Sequence, residues 1–294
     1  MIYMSLYVAA PPRLRPVAAR QLVRELASAL DAPNAALVFD ADGTLWFADV
    51  GDDVFRDALE RGLLKEDAAE ALKRSAARHG LDFRGSASEV ARGLRSAYRV
   101  GRFPERELFE VMTWCYAGFT PDELTLLAED SLARGQIARR LNPELAPVLE
   151  WARRAGLRSV VVSASPRPII ELAARLWGFA PGDIVAATAA VDSGLFAPRL
   201  AAPLPYGGAK VDAARACLRN RSWLASFGDS AFDLEMLLAA RVAVAVAPKP
   251  ELRARISELY PNNIAATCRP LNTTAEAPTY AQKSRSWTRS SSHT

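Results

Sequence analysis

Apolar and polar positions fall into five textures along the 294 residues. From Pro16 to Leu30, the residues Leu22, Val23, Leu26 and Leu30 recur at helical spacing, and Asp31-Ala32-Pro33-Asn34 punctuates the end of the predicted helix. A short unbroken apolar run, Ala36 to Phe39, has the composition of a buried strand and stops abruptly at acidic residues. From Asp52 to Arg140 the periodicity is helical, with a capped start at Thr120-Pro121-Asp122-Glu123 and glycine stops at Gly80, Gly101 and Gly135. After Pro143, strand-like runs (LRSVVVSAS, IVAATAAV, SWLASFGDS, VAVAVA) alternate with helical segments. Strand and helix alternating at this spacing predict an α/β fold, a doubly wound parallel sheet. The expected organisation is an N-terminal helix within 1–35, an α/β core over 36–51 and 141–260, and an α-helical insert over 52–140. The Ser-, Thr- and Pro-rich stretch 261–294 has no period and is expected to be a disordered tail.

Chemistry collects where strands are expected to end. Asp40 and Asp42 stand one residue apart, followed at once by Gly43 and Thr44. The carboxyl edge of an open α/β sheet is where ligands bind. Two carboxylates this close repel, and a hard divalent cation such as Mg2+ is the usual compensation. The Thr44 hydroxyl and neighbouring amides can hydrogen-bond a phosphate oxygen. At the end of VVVSAS, Ser163 and the amide at Ala164 lead into a helix opened by Pro166, which forms a natural phosphate cradle. Lys210 follows a glycine pair at a helix start. Lysines number five against 32 arginines, so this one is less easily read as filler; its ammonium can neutralise a carboxylate and a phosphate oxygen. In FGDSAFDLEML, Asp229 closes a strand and Asp233 lies four residues on. Asp229 can reach a metal held by Asp40, and Asp233 can take a metal-bound water or orient Lys210. Taken singly, each of these also fits a capped turn or a solvated lysine; their order and placement favour a site.

Composition narrows the alternatives. Half the residues are apolar and a quarter charged, ordinary for a soluble globular protein. The net charge of +4 is not gathered into a basic stripe interleaved with aromatics, so nucleic-acid binding has little support. Cys115, Cys217 and Cys268 are scattered, without metal-ligand spacing, which suits a reducing compartment. The two histidines, His79 and His293, leave a histidine-dependent hydrolase almost nothing to work with. The opening MIYMSLYVAAPP lacks a basic start, and no segment is long and apolar enough for a membrane span, so the expectation is a cytoplasmic protein. Oligomeric state leaves no legible mark.

Together DADGT, SASP, Lys210 and GDSAFD, over about Leu37 to Pro248, resemble the haloacid dehalogenase (HAD) superfamily, and specifically its phosphoserine-phosphatase-like branch. The resemblance implies a C1 helical cap after the first motif, Asp40 as the nucleophile that forms an aspartyl-phosphate, and Asp42 as general acid and base. It implies Ser163 as the second-motif hydroxyl, Lys210 as the third-motif lysine, and a Mg2+ site drawing on Asp40, Asp42, Asp229 and Asp233. One departure is Phe232, where many of the branch have Asn before the last Asp. The expected activity is phosphatase action on a small phosphomonoester, with phosphoryl transfer to another alcohol as the alternative; Asp42 argues against dehalogenation. A carboxylate near Asp49 holds the substrate amine in phosphoserine phosphatases, so an amine-bearing substrate is expected. Trp46, Phe47, Trp114 and Tyr116 raise a second expectation, an aromatic cage for phosphocholine, against their reading as ordinary core.

Overall fold

A computed structural model describes residues 18–255, together with the backbone of strands β1 (Arg15–Pro16) and β9 (Ala266–Cys268). The helix expected near the start is α1 (Ala19–Ala29), which buries Leu22 and Leu26 completely and packs Val23 and Leu30 along their flank. It delivers the chain to β2 (Ala36–Phe39), whose four residues are all buried. The apolar run therefore forms a strand covered on both faces, as parallel sheets require.

The other core strands are β3 (Arg158–Pro166), β4 (Ile184–Ala187), β7 (Trp223–Gly228) and β8 (Val242–Val246). The sheet has the order β1-β9-β8-β7-β2-β3-β4, and every pairing in it is parallel. Helices α7 (Ala146–Arg154), α8 (Arg167–Arg175), α9 (Ala209–Leu218), α10 (Leu234–Ala239) and α11 (Pro250–Ala254) connect or follow these strands. β2 lies between β3 and β7, with Phe39 stacked on Phe227 at 4.3 Å between centroids. The ends of β2, β3 and β7 thus converge, which brings together segments 120 and 190 residues apart.

From Val50 to Arg134 the chain makes only helices: α2 (Val50–Glu60), α3 (Ala69–Ala77), α4 (Ala87–Arg99), α5 (Glu105–Trp114) and α6 (Pro121–Arg134). Capping boxes at Ser86/Glu89 and Thr120/Glu123 start α4 and α6 by satisfying the free N–H groups of the first turn. The insert's two ends are tied together: Phe47 N donates to Arg140 O (2.8 Å), Asn142 N to Leu45 O (2.9 Å) and Asn142 Nδ2 to Thr44 O (3.1 Å). One apolar cluster runs from Leu22 and Phe39 into Phe55, Leu94 and Met112, so insert and sheet share a core.

Two segments differ from the sequence reading. IVAATAAV is not one strand: after β4 the chain leaves the sheet and forms β5 (Ala189–Asp192), which pairs antiparallel with β6 (Leu195–Leu200). Ser193 (φ 50°) and Gly194 (φ 83°) make its two-residue turn, with positive φ at both positions. Phe196 then exchanges backbone hydrogen bonds with Gly118 and Phe119, joining this hairpin to the helical insert. The second difference is β9, which lies inside the stretch assigned to a disordered tail and pairs with β8; the rest of 261–294 lies outside the described residues. Among the described residues no helix is long and apolar enough to cross a membrane.

Candidate active site

Asp40 follows β2 directly and is 6 % exposed. Its Oδ1 accepts from Lys210 Nζ at 2.6 Å and its Oδ2 from the Thr44 hydroxyl at 3.2 Å. Lys210, in the first turn of α9, also donates to Asp233 Oδ1 at 2.6 Å. The Oδ2 of Asp233 accepts three further bonds, from Asp229 N (3.2 Å), Ser230 N (3.0 Å) and Ser230 Oγ (2.9 Å). Asp233 is thereby saturated and acts as a brace that fixes Lys210 and the loop carrying Asp229. Gly43 and Gly228 permit this close assembly: a Cβ on Gly43 would lie 2.0 Å from Asp229 Oδ2, and one on Gly228 2.5 Å from Asp233 Cβ.

The carboxylates of Asp40, Asp229 and Asp233 are buried, with one oxygen from each within 4.8 Å of the others. Desolvation, with the neighbouring carboxylates, pushes Asp40 up to about 8 against the lowering pull of Lys210. Desolvation also pushes Asp229 up to about 6. Burial works against the Lys210 ammonium, but Asp233 and Asp40 outweigh it and hold the lysine charged. Once ionised, the three carboxylates outnumber Lys210 and Lys249, whose Nζ lies 2.9 Å from Asp229 Oδ2, and leave a net negative, all-oxygen cluster, the donor chemistry of a hard divalent cation. Asp40 and Asp229 would hold that ion, since Asp233 already accepts four hydrogen bonds.

Asp42 points elsewhere. Its Oδ1 accepts from Trp46 Nε1 and Val50 N, both at 2.8 Å, and its Oδ2 from Ser165 Oγ at 2.7 Å. Its carboxylate does not join the acidic cluster, so three of the four carboxylates expected at the metal stand together, with Asp42 in a compartment of its own. Desolvation raises its pKa despite the three donors. The fold therefore splits two neighbouring carboxyls into different environments, the usual route to different roles.

Ser163 is 2 % exposed at the end of β3; its hydroxyl accepts from Ser165 N at 3.1 Å and has its own proton to give. Ala164 is buried beside it. Thr44, expected to bind phosphate, is fully buried and spends its hydroxyl on Asp40, so its role is to orient that carboxylate. Asp49 caps α2 by accepting from Asp52 N at 2.7 Å, and desolvation with the nearby Asp42 and Asp52 carboxylates raises it well above the ordinary range. The rest of the acidic cluster is structural: Asp52 forms a two-point bond with Arg95 (2.7 and 2.6 Å), and Asp53 pairs with Arg140 at 2.6 Å. Trp46 and Tyr116 are fully buried and Trp114 nearly so, which makes them core and not the open walls of a cage.

Two contributors escaped the sequence reading. Ser165, the second serine of SASP, holds Asp42. Lys249 donates to Asp229 Oδ2 at 2.9 Å. The scarcity of lysine that marks Lys210 applies equally to Lys249, which sits just past a strand end between two prolines. His79 pairs with Glu107 in the helical insert, among none of these residues.

The site thus lies at the carboxyl edge of a parallel α/β sheet, with a helical insert after β2. The family model for haloacid dehalogenase-like hydrolases matches residues 37–238, and the chain belongs to that family. Solved structures share its fold. One is a protein of unknown function from Bordetella pertussis Tohama I, 21% identical, covering 81% of this chain and 99% of that one, with a TM-score of 0.62. A HAD family hydrolase from Salmonella enterica subsp. enterica serovar Typhi is 17% identical over 81% of this chain and 74% of its own, with a TM-score of 0.51. A substrate-bound phosphoserine phosphatase complex is 12% identical over 82% and 95%, with a TM-score of 0.50. No curated protein matches the chain.

Proposed function

We propose that the protein is a Mg2+-dependent phosphomonoester phosphatase that works through an aspartyl-phosphate on Asp40. The observation that carries this reading is the division of labour at the end of β2. Asp40 is clamped between Lys210 and Thr44 beside Asp229, while Asp42, two residues on, is kept apart with a raised pKa. The fold shared with a phosphoserine phosphatase complex supports the same reaction class.

In the first step a carboxylate oxygen of Asp40 attacks phosphorus as the bond to the leaving alcohol breaks, and protonated Asp42 gives that alcohol its proton. In the second, the Asp42 carboxylate takes a proton from water, whose oxygen displaces Asp40 and releases phosphate. Lys210 stays charged throughout and balances negative charge on the transferring group, where electrostatics and positioning supply most of the catalysis. Ser163 and the Ala164 amide orient the phosphoryl oxygens. Magnesium, when bound, would neutralise phosphate charge and fix one phosphoryl oxygen. The helical insert acts as a cap that shields the site from bulk water. The test is phosphate release from para-nitrophenyl phosphate and a phosphomonoester panel, with Mg2+ and with EDTA. Metal-dependent release is expected, and an enzyme inert on the whole panel would refute the reading.

The same carboxylates set a pH dependence. Asp40 at about 8 and Asp229 at about 6 bind protons more tightly in the folded protein than unfolded, where both sit near 3.8. Their contribution to metal-free stability is thus full below about 3.8 and is lost progressively as pH rises from there to about 8. A divalent cation replaces those protons, so its stabilising effect grows over the same window. The Mg2+-induced rise in melting temperature is expected to be larger near pH 8 than near pH 5.5; an equal or opposite trend would contradict the assignment of these acids to the metal.

For the substrate we favour an amine-bearing phosphomonoester such as phosphoserine or phosphoethanolamine. Burial raises Asp49, and the Asp42 and Asp52 carboxylates add to the rise; a substrate ammonium there would offset both. Asp49→Ala is expected to lower the preference for phosphoserine and phosphoethanolamine over an amine-free phosphomonoester by about tenfold. Because the change also removes a helix cap worth roughly 1 kcal/mol, the ratio between substrates is the quantity to read; an unchanged ratio refutes the amine assignment.

A further inference from the structure

Beyond β8 the chain passes Ala247, at φ +40°, into Pro248-Lys249-Pro250. The backbone of Lys249 is pinned: its N–H donates to Asp229 O at 2.8 Å, and Arg253 Nε donates to Pro248 O at 3.0 Å. Leu252 of α11 anchors the segment, fully buried. The side chain is differently placed. It is 57 % exposed while its Nζ lies 2.9 Å from Asp229 Oδ2, whereas Lys210 is 4 % exposed and bonded to two carboxylates. Lys249 also lies within electrostatic reach of Asp40, Asp233, Asp42 and Asp49.

With the three acids ionised and both lysines in place, the triad of Asp40, Asp229 and Asp233 carries one net negative charge. Adding a divalent cation would turn that to one positive, and withdrawing Lys249 would bring it to neutrality. A pinned backbone with a long, half-exposed stem lets the ammonium leave without moving the loop.

We propose that Lys249 is an internal counter-cation of the acidic cluster, holding Asp229 when no metal is bound and giving up that carboxylate when a divalent cation binds. Metal and lysine then compete for one seat, so that Lys249 keeps the metal-free site intact and sets how tightly metal is held. This rests on the metal site of the proposed function.

Two measurements without turnover test it. Lysine acetylation of the wild-type protein, followed residue by residue by mass spectrometry, reports whether the ammonium is released. Mg2+ is expected to speed modification of Lys249 at least about threefold, the scale of losing one partly exposed ion pair. Lys65 and Lys73, paired with Glu123 and Glu70 in the helical insert, should not change. Calorimetric titration of Mg2+ into Lys249→Met should show binding tighter by at least about threefold than in wild type. Labelling of Lys249 that Mg2+ leaves unchanged, or a Met variant binding Mg2+ no more tightly than wild type, overturns the proposal. If the variant does not fold, the wild-type labelling decides alone. A wild-type protein that takes up no Mg2+ would instead remove the metal site itself, and with it both readings.

Discussion

Asp40→Asn is expected to lower phosphate release by ~10,000-fold or more, the scale on which loss of a nucleophile acts, while the protein stays folded. The amide is close in size and shape to the carboxylate. Its oxygen can keep the bond from Lys210, and its NH2 can donate to Thr44 Oγ1, which reverses the direction of that bond without breaking it. Removing one of three crowded carboxylates also relieves repulsion, since Asp233 and Asp229 both help to raise Asp40. The metal-free variant should therefore melt no lower than wild type. Phosphate release measured beside thermal melting separates the two effects. A folded variant that kept more than about one part in a hundred of wild-type turnover would exclude Asp40 as the nucleophile. A variant that failed to fold would show that the carboxylate is needed for the structure of the Lys210 bridge.

How far this site was legible in the sequence follows from the range over which each signal acts. The end of β2 could be read because one local contrast carries it, four buried residues against Asp40, Asp42 and Gly43. Lys210 and Asp233 could be joined only as one of two roles for Asp233, orienting the lysine or taking a metal-bound water; their 2.6 Å bond depends on the packing of α9 against β3 and α10. The three acids Asp49, Asp52 and Asp53 look alike in sequence. Only the fold shows that Asp52 and Asp53 are taken by Arg95 and Arg140, 43 and 87 residues away, leaving Asp49 beside Asp42. The β5–β6 hairpin was hidden for a different reason. AATAAV has no breaker at Thr188 where the chain leaves the sheet, and Pro198 inside β6 argues against a strand. Its one usable cue was Ser193-Gly194, a pair suited to a two-residue hairpin turn. Lys249 was passed over because Pro-Lys-Pro reads first as the end of a strand and only second as a rigid mount for its side chain.

Asp42→Asn carries the second large effect, and its size depends on the leaving group. Asn can preserve the local structure: its oxygen accepts from Trp46 Nε1 and Val50 N, and its NH2 donates to Ser165 Oγ. What it cannot do is give or take the proton. Loss of a general acid or base costs roughly 100- to 10,000-fold. An alkyl phosphomonoester such as phosphoserine leaves as an alkoxide that needs protonation, so the variant should lose activity already in the first step. Para-nitrophenolate is a stable anion and leaves with little help, so the first step should survive for that substrate. The second step still needs Asp42 to activate water, and the aspartyl-phosphate should accumulate. The expected record for Asp42→Asn with para-nitrophenyl phosphate is therefore a rapid burst of nitrophenol, one per active site, followed by slow turnover. Phosphoserine should give no comparable burst. Equal losses on both substrates without a burst would mean that Asp42 shapes the site through Trp46 and Ser165 and moves no proton. A burst that also disappeared in the Asp40→Asn, Asp42→Asn double variant would assign the trapped phosphoryl group to Asp40, because Asp233, the other carboxylate on Lys210, is fully buried and already accepts four hydrogen bonds, and Asp229 holds Lys249.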